Sequence, residues 1–293
     1  MRDGGTNAGV QQLALALSLF LSAFCLPQQQ RDVVLATTTS TRDAGLLDSL
    51  LPVFEAKSRY KVKVVAVGTG QAIAMARRGD AEVVLVHAPE LERALVDSGF
   101  FVRRRLVMHD DFLFVGPESD PARLRGGRDA VAALAATAAA RAPFVSRGDR
   151  SGTHLLELKL WRLLGQAPPP PGAWYIEAGQ GMAATLQMAD QKRAYTITDR
   201  PTFLVWQSKL QLVPLVERDT LLYNVYHVME VPRAGAGARA LADFFVAPEA
   251  QELIWKFGTA RFGRQLFAPD AGKPDRWYSR TPDPTAVTIE LPS

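Results

Sequence analysis

The sequence has few of the features that mark a disulfide-stapled, metal-binding or nucleic-acid-binding protein. Its 293 residues contain one cysteine, Cys25, so neither an intrachain disulfide nor a cysteine metal site is expected. The four histidines are widely dispersed and lack metal-ligand spacing, and we expect no metal cation or cofactor. The net charge is only +4, and no basic patch is interleaved with aromatic residues, so no nucleic acid partner is expected.

Long apolar runs are also missing, apart from one near the N-terminus. Residues 13–26 are apolar and follow Arg2, a length that fits a secretory signal and is too short to span a bilayer. We therefore predict that residues 1–30 form a signal peptide and that the protein is periplasmic or extracytoplasmic. Cys25 lies in this segment directly after the bulky Phe24, which suits lipoprotein processing poorly, so no lipid anchor is expected.

The remaining composition and periodicity predict a large, two-lobed α/β protein. Hydrophobic residues make up 47% of the chain, enough to bury a sizeable core. From residue 33 to about residue 260, strand-like and helical apolar periods alternate, which is typical of α/β proteins with largely parallel sheets. No single linker interrupts this region, so we expect two lobes whose strands cross between them. From Ala268 onward, proline, glycine and charged residues dominate, and a loose tail is expected.

Three turns share one design, in which a short apolar strand ends in hydroxyl or glycine residues and a helix follows. They lie at residues 37–40, 68–70 and 146–153. A helix that begins at a strand end leaves free backbone N–H groups, with the positive end of the helix dipole behind them. Hydroxyl and glycine residues there let an anion approach closely and add further donors. Together the three turns predict a shared oxyanion pocket.

Each turn also has a simpler interpretation. Serine and threonine are common N-cap residues, so capping alone explains any one of the turns. Arg147 is the charged side chain in the turns that could oppose an anion, because its guanidinium offers a fork of donors. From its position alone, a surface ion pair with Asp149 or Glu157 is an equal alternative.

A glycine-rich motif keeps a second function class open. Gly179, Gly181 and Ala184 follow a predicted strand and open a helix, and Asp199 lies at a plausible later distance. This pattern matches the dinucleotide fingerprint of a nicotinamide-dependent oxidoreductase. The motif is short, and the preceding strand is polar for a central strand, which weighs against this alternative.

A series of short motifs, taken together, carries a family resemblance. In chain order they are residues 36–41, 67–72, 77–81, 86–89, 111–117, 146–149, 151–154, 179–182 and 195–200, with Asn224 and Tyr226. This series resembles the periplasmic tungstate-binding proteins of ABC importers, over roughly residues 33–260. It departs from the family pattern at Pro201, where glycine is expected, and at Val225, where proline is expected.

The resemblance implies a class II periplasmic-binding-protein fold, with two α/β lobes joined by crossing hinge strands. The expected ranges are 31–112 and 227–270 for the first lobe, 113–226 for the second, 271–293 for a loose C-terminal tail, and 111–115 and 224–231 for the crossing strands. Such a fold holds one tetrahedral oxyanion in the cleft and performs no catalysis. We expect a monomer that delivers its anion to the permease subunits of an ABC importer.

The resemblance also implies a set of ligand donors. They are Thr38, Thr39, Thr69, Arg147, Ser151 and Thr153. We expect tungstate first, molybdate second, and phosphate or sulfate after them, because a fully deprotonated dianion needs donors whereas hydrogen phosphate also needs an acceptor. Asp149 is the nearby candidate acceptor, so phosphate stays open if its carboxylate points into the cleft.

Overall fold

The computed structural model describes residues 31–274. The predicted signal peptide, including Cys25, and residues 275–293 of the predicted tail lie outside the described residues. Within residues 31–274, no helix is long and apolar enough to cross a membrane.

Strands and helices alternate in the first part of the chain. The elements are β1 (Arg31–Thr38), α1 (Thr39–Asp43), α2 (Leu46–Lys57), β2 (Tyr60–Val67), α3 (Thr69–Arg78), β3 (Val83–Val86), α4 (Pro89–Asp97) and β4 (Val102–Pro117). All four aliphatic residues of β3 are buried, which is the pattern of a strand covered on both faces. Pro89 opens α4, where its fixed φ suits the first helical turn.

The second part of the chain continues the alternation with shorter strands. The elements are α5 (Ala130–Ala139), β5 (Phe144–Ser146), α6 (Gly152–Leu163), β6 (Tyr175–Glu177), α7 (Met182–Lys192), β7 (Thr196–Asp199), α8 (Arg200–Trp206), β8 (Leu212–Val216), β9 (Tyr223–Glu230), α9 (Ala236–Phe245), α10 (Pro248–Lys256), α11 (Thr259–Phe262) and β10 (Ala268–Pro269). The alanine-rich α5 follows helix propensity, and Asp129 caps it by accepting a hydrogen bond from the Ala132 N–H.

The main sheet has the strand order β10-β4-β9-β3-β1-β2, and β7 and β8 pair with the far end of β4. Pairing is parallel between β1 and β2, between β1 and β3, and between β5 and β6. The pairs that involve β4 or β9 are antiparallel. The expectation of largely parallel sheets is therefore corrected to mixed sheets, because the strands that carry the chain between the lobes run against their neighbours.

The long strand β4 joins the two lobes. Its first part, up to Asp111, pairs with β9, and its last part, from Phe112, pairs with β7 and β8. β9 begins beside Asp111 and pairs only with β3 and β4, so the second crossing lies at the start of β9 rather than along it. The sequence predicted only residues 111–115 of β4 as a strand, because Arg103, Arg104 and Arg105 resemble a solvated face.

Each lobe has its own hydrophobic core on both faces of its strands. In the first lobe, one cluster packs α2, α9 and α10 on one sheet face, and another packs α3 and α4 on the opposite face. In the second lobe, Phe112 and Phe114 belong to the cluster under α5 and α6, whereas Leu113 and Val115 belong to the cluster under α7 and α8. The alternation along β4 follows the two-residue period of a strand. The lobe boundaries predicted by residue number stay a prediction.

The C-terminal part of the described chain is more ordered than the sequence indicated. Ala268 and Pro269 pair with His109 and Met108 of β4. Asp270 is buried, and its carboxylate lies 2.6 Å from Nδ1 of His109. The expectation that the loose tail starts at Ala268 is thus wrong for residues 268–270, because a contact 161 residues away along the chain holds them.

Candidate functional site

The three predicted turns lie at the junctions between strands and helices. Thr38 ends β1, and Thr39 is the first residue of α1. Thr69 is the first residue of α3, directly after β2 and Gly68. Ser151 is the N-cap of α6, to which Thr153 belongs. Each turn therefore has the strand-to-helix geometry that the sequence predicted.

Neighbouring strands bring the first two turns together. β1 and β2 are parallel and in register, with Thr38 opposite Val67, so both strands end at the same edge of the sheet. The third turn reaches this edge from the second lobe, since a Cβ on Gly68 would lie 3.5 Å from the Asp149 carbonyl oxygen. A Cβ on Gly181, at the start of α7, would lie 3.6 Å from Oγ1 of Thr39. The two lobes thus meet across the predicted cleft.

Arg147 is a buried cation rather than a surface one. Its side chain is 3% exposed and forms a close ion pair with Asp149. The other carboxylate oxygen of Asp149 accepts a hydrogen bond from the Ser151 N–H at 3.0 Å. Glu157, the other partner considered, instead accepts hydrogen bonds from Trp161 and Tyr175. The Asp149 pair therefore exists, but it holds a guanidinium that is buried at the turn.

Several buried donors at this site have no partner. Within residues 31–274, the hydroxyls of Thr69 and Thr153 and Nε of Arg147 make no hydrogen bond. Buried polar groups are nearly always hydrogen-bonded in folded proteins, so these donors are available to an external acceptor. Thr38 and Ser151 are also buried, and their hydroxyls have local partners. Thr39 is half-buried.

Two buried groups at the site were not predicted as part of it. His87, after β3, is 4% exposed, and neither ring nitrogen has a hydrogen-bond partner in the described structure. Burial lowers the pKa of His87 to about 4. Asp199 caps α8 through Oδ1, which accepts from the Thr202 N–H at 2.8 Å, while Oδ2 is buried without a partner. Burial raises the pKa of Asp199, and nearby Arg147 acts in the opposite direction. Contacts between distant segments create both environments, so the local sequence carried little signal for them.

A polar cluster sits at the hinge, where β4 and β9 pair. Nδ2 of Asn224 donates to Oδ1 of Asp110 at 2.8 Å, and the Tyr226 hydroxyl donates to Oδ2 at 3.0 Å. Burial raises the pKa of Asp110 well above its usual range, and the nearby carboxylates of Asp199 and Asp111 raise it further. Val225, one departure from the family pattern, is buried beside this cluster and pairs with His109.

The glycine-rich motif has a structural role in the lobe contact. Gly179 adopts a left-handed φ of 62°, and Gly181 is the N-cap of α7, which faces Thr39. The preceding strand, β6, has three residues and lies in a two-stranded sheet with β5. This setting does not favour the dinucleotide-binding alternative, which needs a central strand. Pro201, the other departure, lies in the first turn of α8, where proline is well tolerated.

Comparison with known proteins places these features in a family. The PBP superfamily domain matches residues 26–249. The tungstate-binding protein TupA of Peptoclostridium acidaminophilum is 43% identical over 254 residues, which cover 84% of this chain and 88% of that protein. The crystal structure of the tungstate ABC transporter from Geobacter sulfurreducens has 45% identity and a TM-score of 0.69, and the match covers 77% of this chain and 98% of that chain. The tungstate-binding protein TupA of Desulfovibrio alaskensis G20 has 39% identity and a TM-score of 0.68, and the match covers 82% and 99% of the two chains.

Proposed function

The chain belongs to the PBP superfamily and, within it, to the TupA family of tungstate-binding proteins, and from this membership we propose that it captures one tungstate ion between its lobes and delivers it to the permease of an ABC importer. Molybdate is the second candidate ligand, and phosphate and sulfate rank behind it. The protein acts by binding and release, without catalysis.

One observation supports this proposal most directly: the unpaired buried donors at the three turns. Arg147 supplies the positive charge, and Thr69 and Thr153 supply hydroxyls whose hydrogen-bonding capacity is unused. Charged hydrogen bonds of this kind are among the stronger ones in proteins. We assign Thr38, Thr39 and Ser151 to the same site, since the turns that hold them converge on it.

The carboxylates beside Arg147 are the groups that distinguish a fully deprotonated ion from hydrogen phosphate. Both carboxylate oxygens of Asp149 are engaged, one by Arg147 and one by the Ser151 N–H. We therefore assign Asp149 the role of orienting Arg147. The remaining buried carboxylate oxygen near Arg147 is Oδ2 of Asp199. Hydrogen phosphate needs an acceptor, for which this oxygen is a candidate, whereas tungstate needs none.

The cellular setting of the proposal follows from the family and from the N-terminal sequence. A solute-binding protein of an importer works outside the cytoplasmic membrane, and the predicted signal peptide of residues 1–30 would direct it there. We further propose that the protein is a monomer, with a first lobe of residues 31–112 and 227–270 and a second lobe of residues 113–226.

Isothermal titration calorimetry with tungstate, molybdate, sulfate and phosphate tests the ligand ranking. We expect tight one-to-one binding of tungstate and molybdate at pH 7.5, and no displacement of tungstate by excess phosphate. Tight phosphate binding without any tungstate heat would overturn the ranking. A saturable change in NADH fluorescence, abolished by Gly181→Ala, would instead favour the oxidoreductase alternative.

A further inference from the structure

His87 lies at the contact between the two lobes. It follows β3 in the first lobe, whereas α6 begins at Gly152 in the second. A Cβ on Gly152 would lie 2.3 Å from Nδ1 of His87, 2.4 Å from Cε1 and 2.9 Å from the His87 carbonyl oxygen. The ring therefore packs directly on the backbone of Gly152, and only a glycine fits there. Gly152 stands between Ser151 and Thr153, two of the proposed anion donors.

The surroundings of the ring favour its neutral form. Tyr226 packs against it with ring centroids 4.8 Å apart, and the Phe112 ring lies at 6.2 Å. The N-terminus of α6 carries a partial positive charge, which disfavours a second cation at this place. This setting agrees with the pKa of about 4, which burial causes and Arg147 lowers further.

Other polar and charged groups also face His87, and some favour its protonation. Glu92 on α4, Asn224 on β9 and Asp149 in the loop after β5 each raise the pKa of His87. Glu92 is already paired, since its carboxylate lies 3.0 Å from Arg104 and 2.8 Å from His227. His154 on α6 accepts a hydrogen bond from the Arg150 N–H through its Nδ1.

We propose that His87 and Gly152 form a proton-sensitive closing contact, in which the neutral imidazole packs on the start of α6 and holds the anion site shut. This inference rests on the proposed function, because closure matters only if an anion is held between the lobes. It makes His87 a positioning residue, which acts on the anion through the placement of Ser151 and Thr153. Protonation of His87 opens the contact and favours release of the anion.

The direction of the pH effect follows from linkage. When the lobes open, water reaches the ring, and the pKa of His87 returns to roughly 6.5, the ordinary value for histidine. The closed form has the lower pKa, so closure is fully favoured above about pH 6.5 and weakens as pH falls toward 4. Between pH 7.5 and 5.5, this single group weakens anion binding about tenfold.

Two buried carboxyls act in the opposite direction. Asp110 and Asp199 have raised pKa values, so their protonation at lower pH removes negative charge near the anion. The ligand can also take up protons as pH falls. These effects occur both in the unmodified protein and in a variant at His87. The difference between the pH profiles of their tungstate affinities therefore reports the effect of His87 alone.

The experiment measures tungstate affinity between pH 5.5 and 7.5, with His87→Gln as the test variant and His109→Gln as its matched control. We expect the ratio of the affinities at pH 7.5 and pH 5.5 to be about tenfold larger for the unmodified protein than for His87→Gln. His109→Gln should behave like the unmodified protein, because the His109 ring pairs with the Asp270 carboxylate, outside the contact between His87 and Gly152. If His87→Gln keeps the full pH dependence, the proposal is wrong.

A second pair of variants tests closure itself, by small-angle X-ray scattering with and without tungstate at pH 7.5. Gly152→Ala places a methyl group inside the His87 ring, so we expect no compaction with tungstate and at least tenfold weaker binding. Gly172→Ala is the control, because a Cβ there meets only the Pro170 carbonyl oxygen at 3.8 Å, an ordinary contact outside the anion turns, and it should compact normally. Normal compaction of Gly152→Ala would refute the closing contact alone. If none of the four oxyanions compacts the unmodified protein, both the proposed function and the closing contact are wrong.

Discussion

The two lobes contribute differently to the proposed anion site. The first lobe supplies threonine hydroxyls at the ends of β1 and β2, and the six proposed donors include no charged side chain from it. The second lobe supplies Arg147, held in place by Asp149, together with Ser151 and Thr153 at the start of α6. The difference indicates that the second lobe provides the charge attraction, while the first lobe completes the coordination when the lobes close.

Arg147→Ala should weaken tungstate binding more than any other substitution considered, because it removes the charge that the second lobe is proposed to supply. Removing one partner of a buried charge pair costs roughly 2–5 kcal/mol, so tungstate affinity should fall by about two to three orders of magnitude. Lysine at this position should restore only part of the loss, because a point charge cannot replace the guanidinium fork. Calorimetry measures the effect, and Arg150→Ala, in the same loop but exposed, is the matched control. Full affinity in Arg147→Ala would show that the second lobe does not supply the charge.

The neutral donors of the two lobes can be compared through Thr69→Val and Thr153→Val. Each variant removes a buried hydroxyl without a protein partner, and a hydrogen bond to a charged group is worth about 1.5–3 kcal/mol. We expect each variant to bind tungstate roughly ten- to a hundredfold more weakly, while the melting temperature without ligand stays the same or rises. Thr137→Val is the control, since its hydroxyl already donates to the Ala133 carbonyl at 2.9 Å. A loss confined to one of the two lobes would show that the hydroxyls are not equivalent.

Asp199→Asn should have a smaller effect, in the direction of stronger binding. An amide keeps the acceptor that caps α8 but removes a negative charge near Arg147, so tungstate affinity at pH 7.5 should rise by about threefold to tenfold. Because burial raises the pKa of Asp199, the unmodified protein should gain affinity as pH falls through that pKa, and the variant should lack this gain. Asp129→Asn, which alters the exposed cap of α5, is the control. Weaker tungstate binding in Asp199→Asn would mean that its carboxylate helps to hold the ligand.

The parts of the molecule that could be predicted from sequence are those determined locally. The three turns were predicted because a strand, a polar break and a helix follow one another within a few residues. The burial of these turns could not be predicted, since it depends on segments from the other lobe, such as the loop of Asp149 against Gly68. A role for His87 at the site could not be predicted, because its contacts with Gly152 and Tyr226 join segments far apart in the chain.

The same reasoning explains the errors in the fold. The arginines at the start of β4 indicated a solvent-facing segment, yet Arg105 pairs with Glu230 of β9 at 3.0 Å. Glycine, proline and charge after Ala268 indicated a loose tail, although Asp270 is buried against His109. In both cases a partner far away along the chain holds a charged or polar side chain that, considered alone, predicts exposure.

The continuity of β4 has a consequence for how quickly and how tightly an anion can be held. Because the single strand β4 runs from the core of the first lobe into that of the second, the lobes stay tethered at the junction of Asp111 and Phe112. Under the proposed function, an anion bound at the turn of Arg147 would therefore meet the hydroxyls of the other lobe at a high effective concentration. The second half of the proposed coordination shell would then form as a ring closure rather than as a new encounter, and the proposed site would act as a chelator.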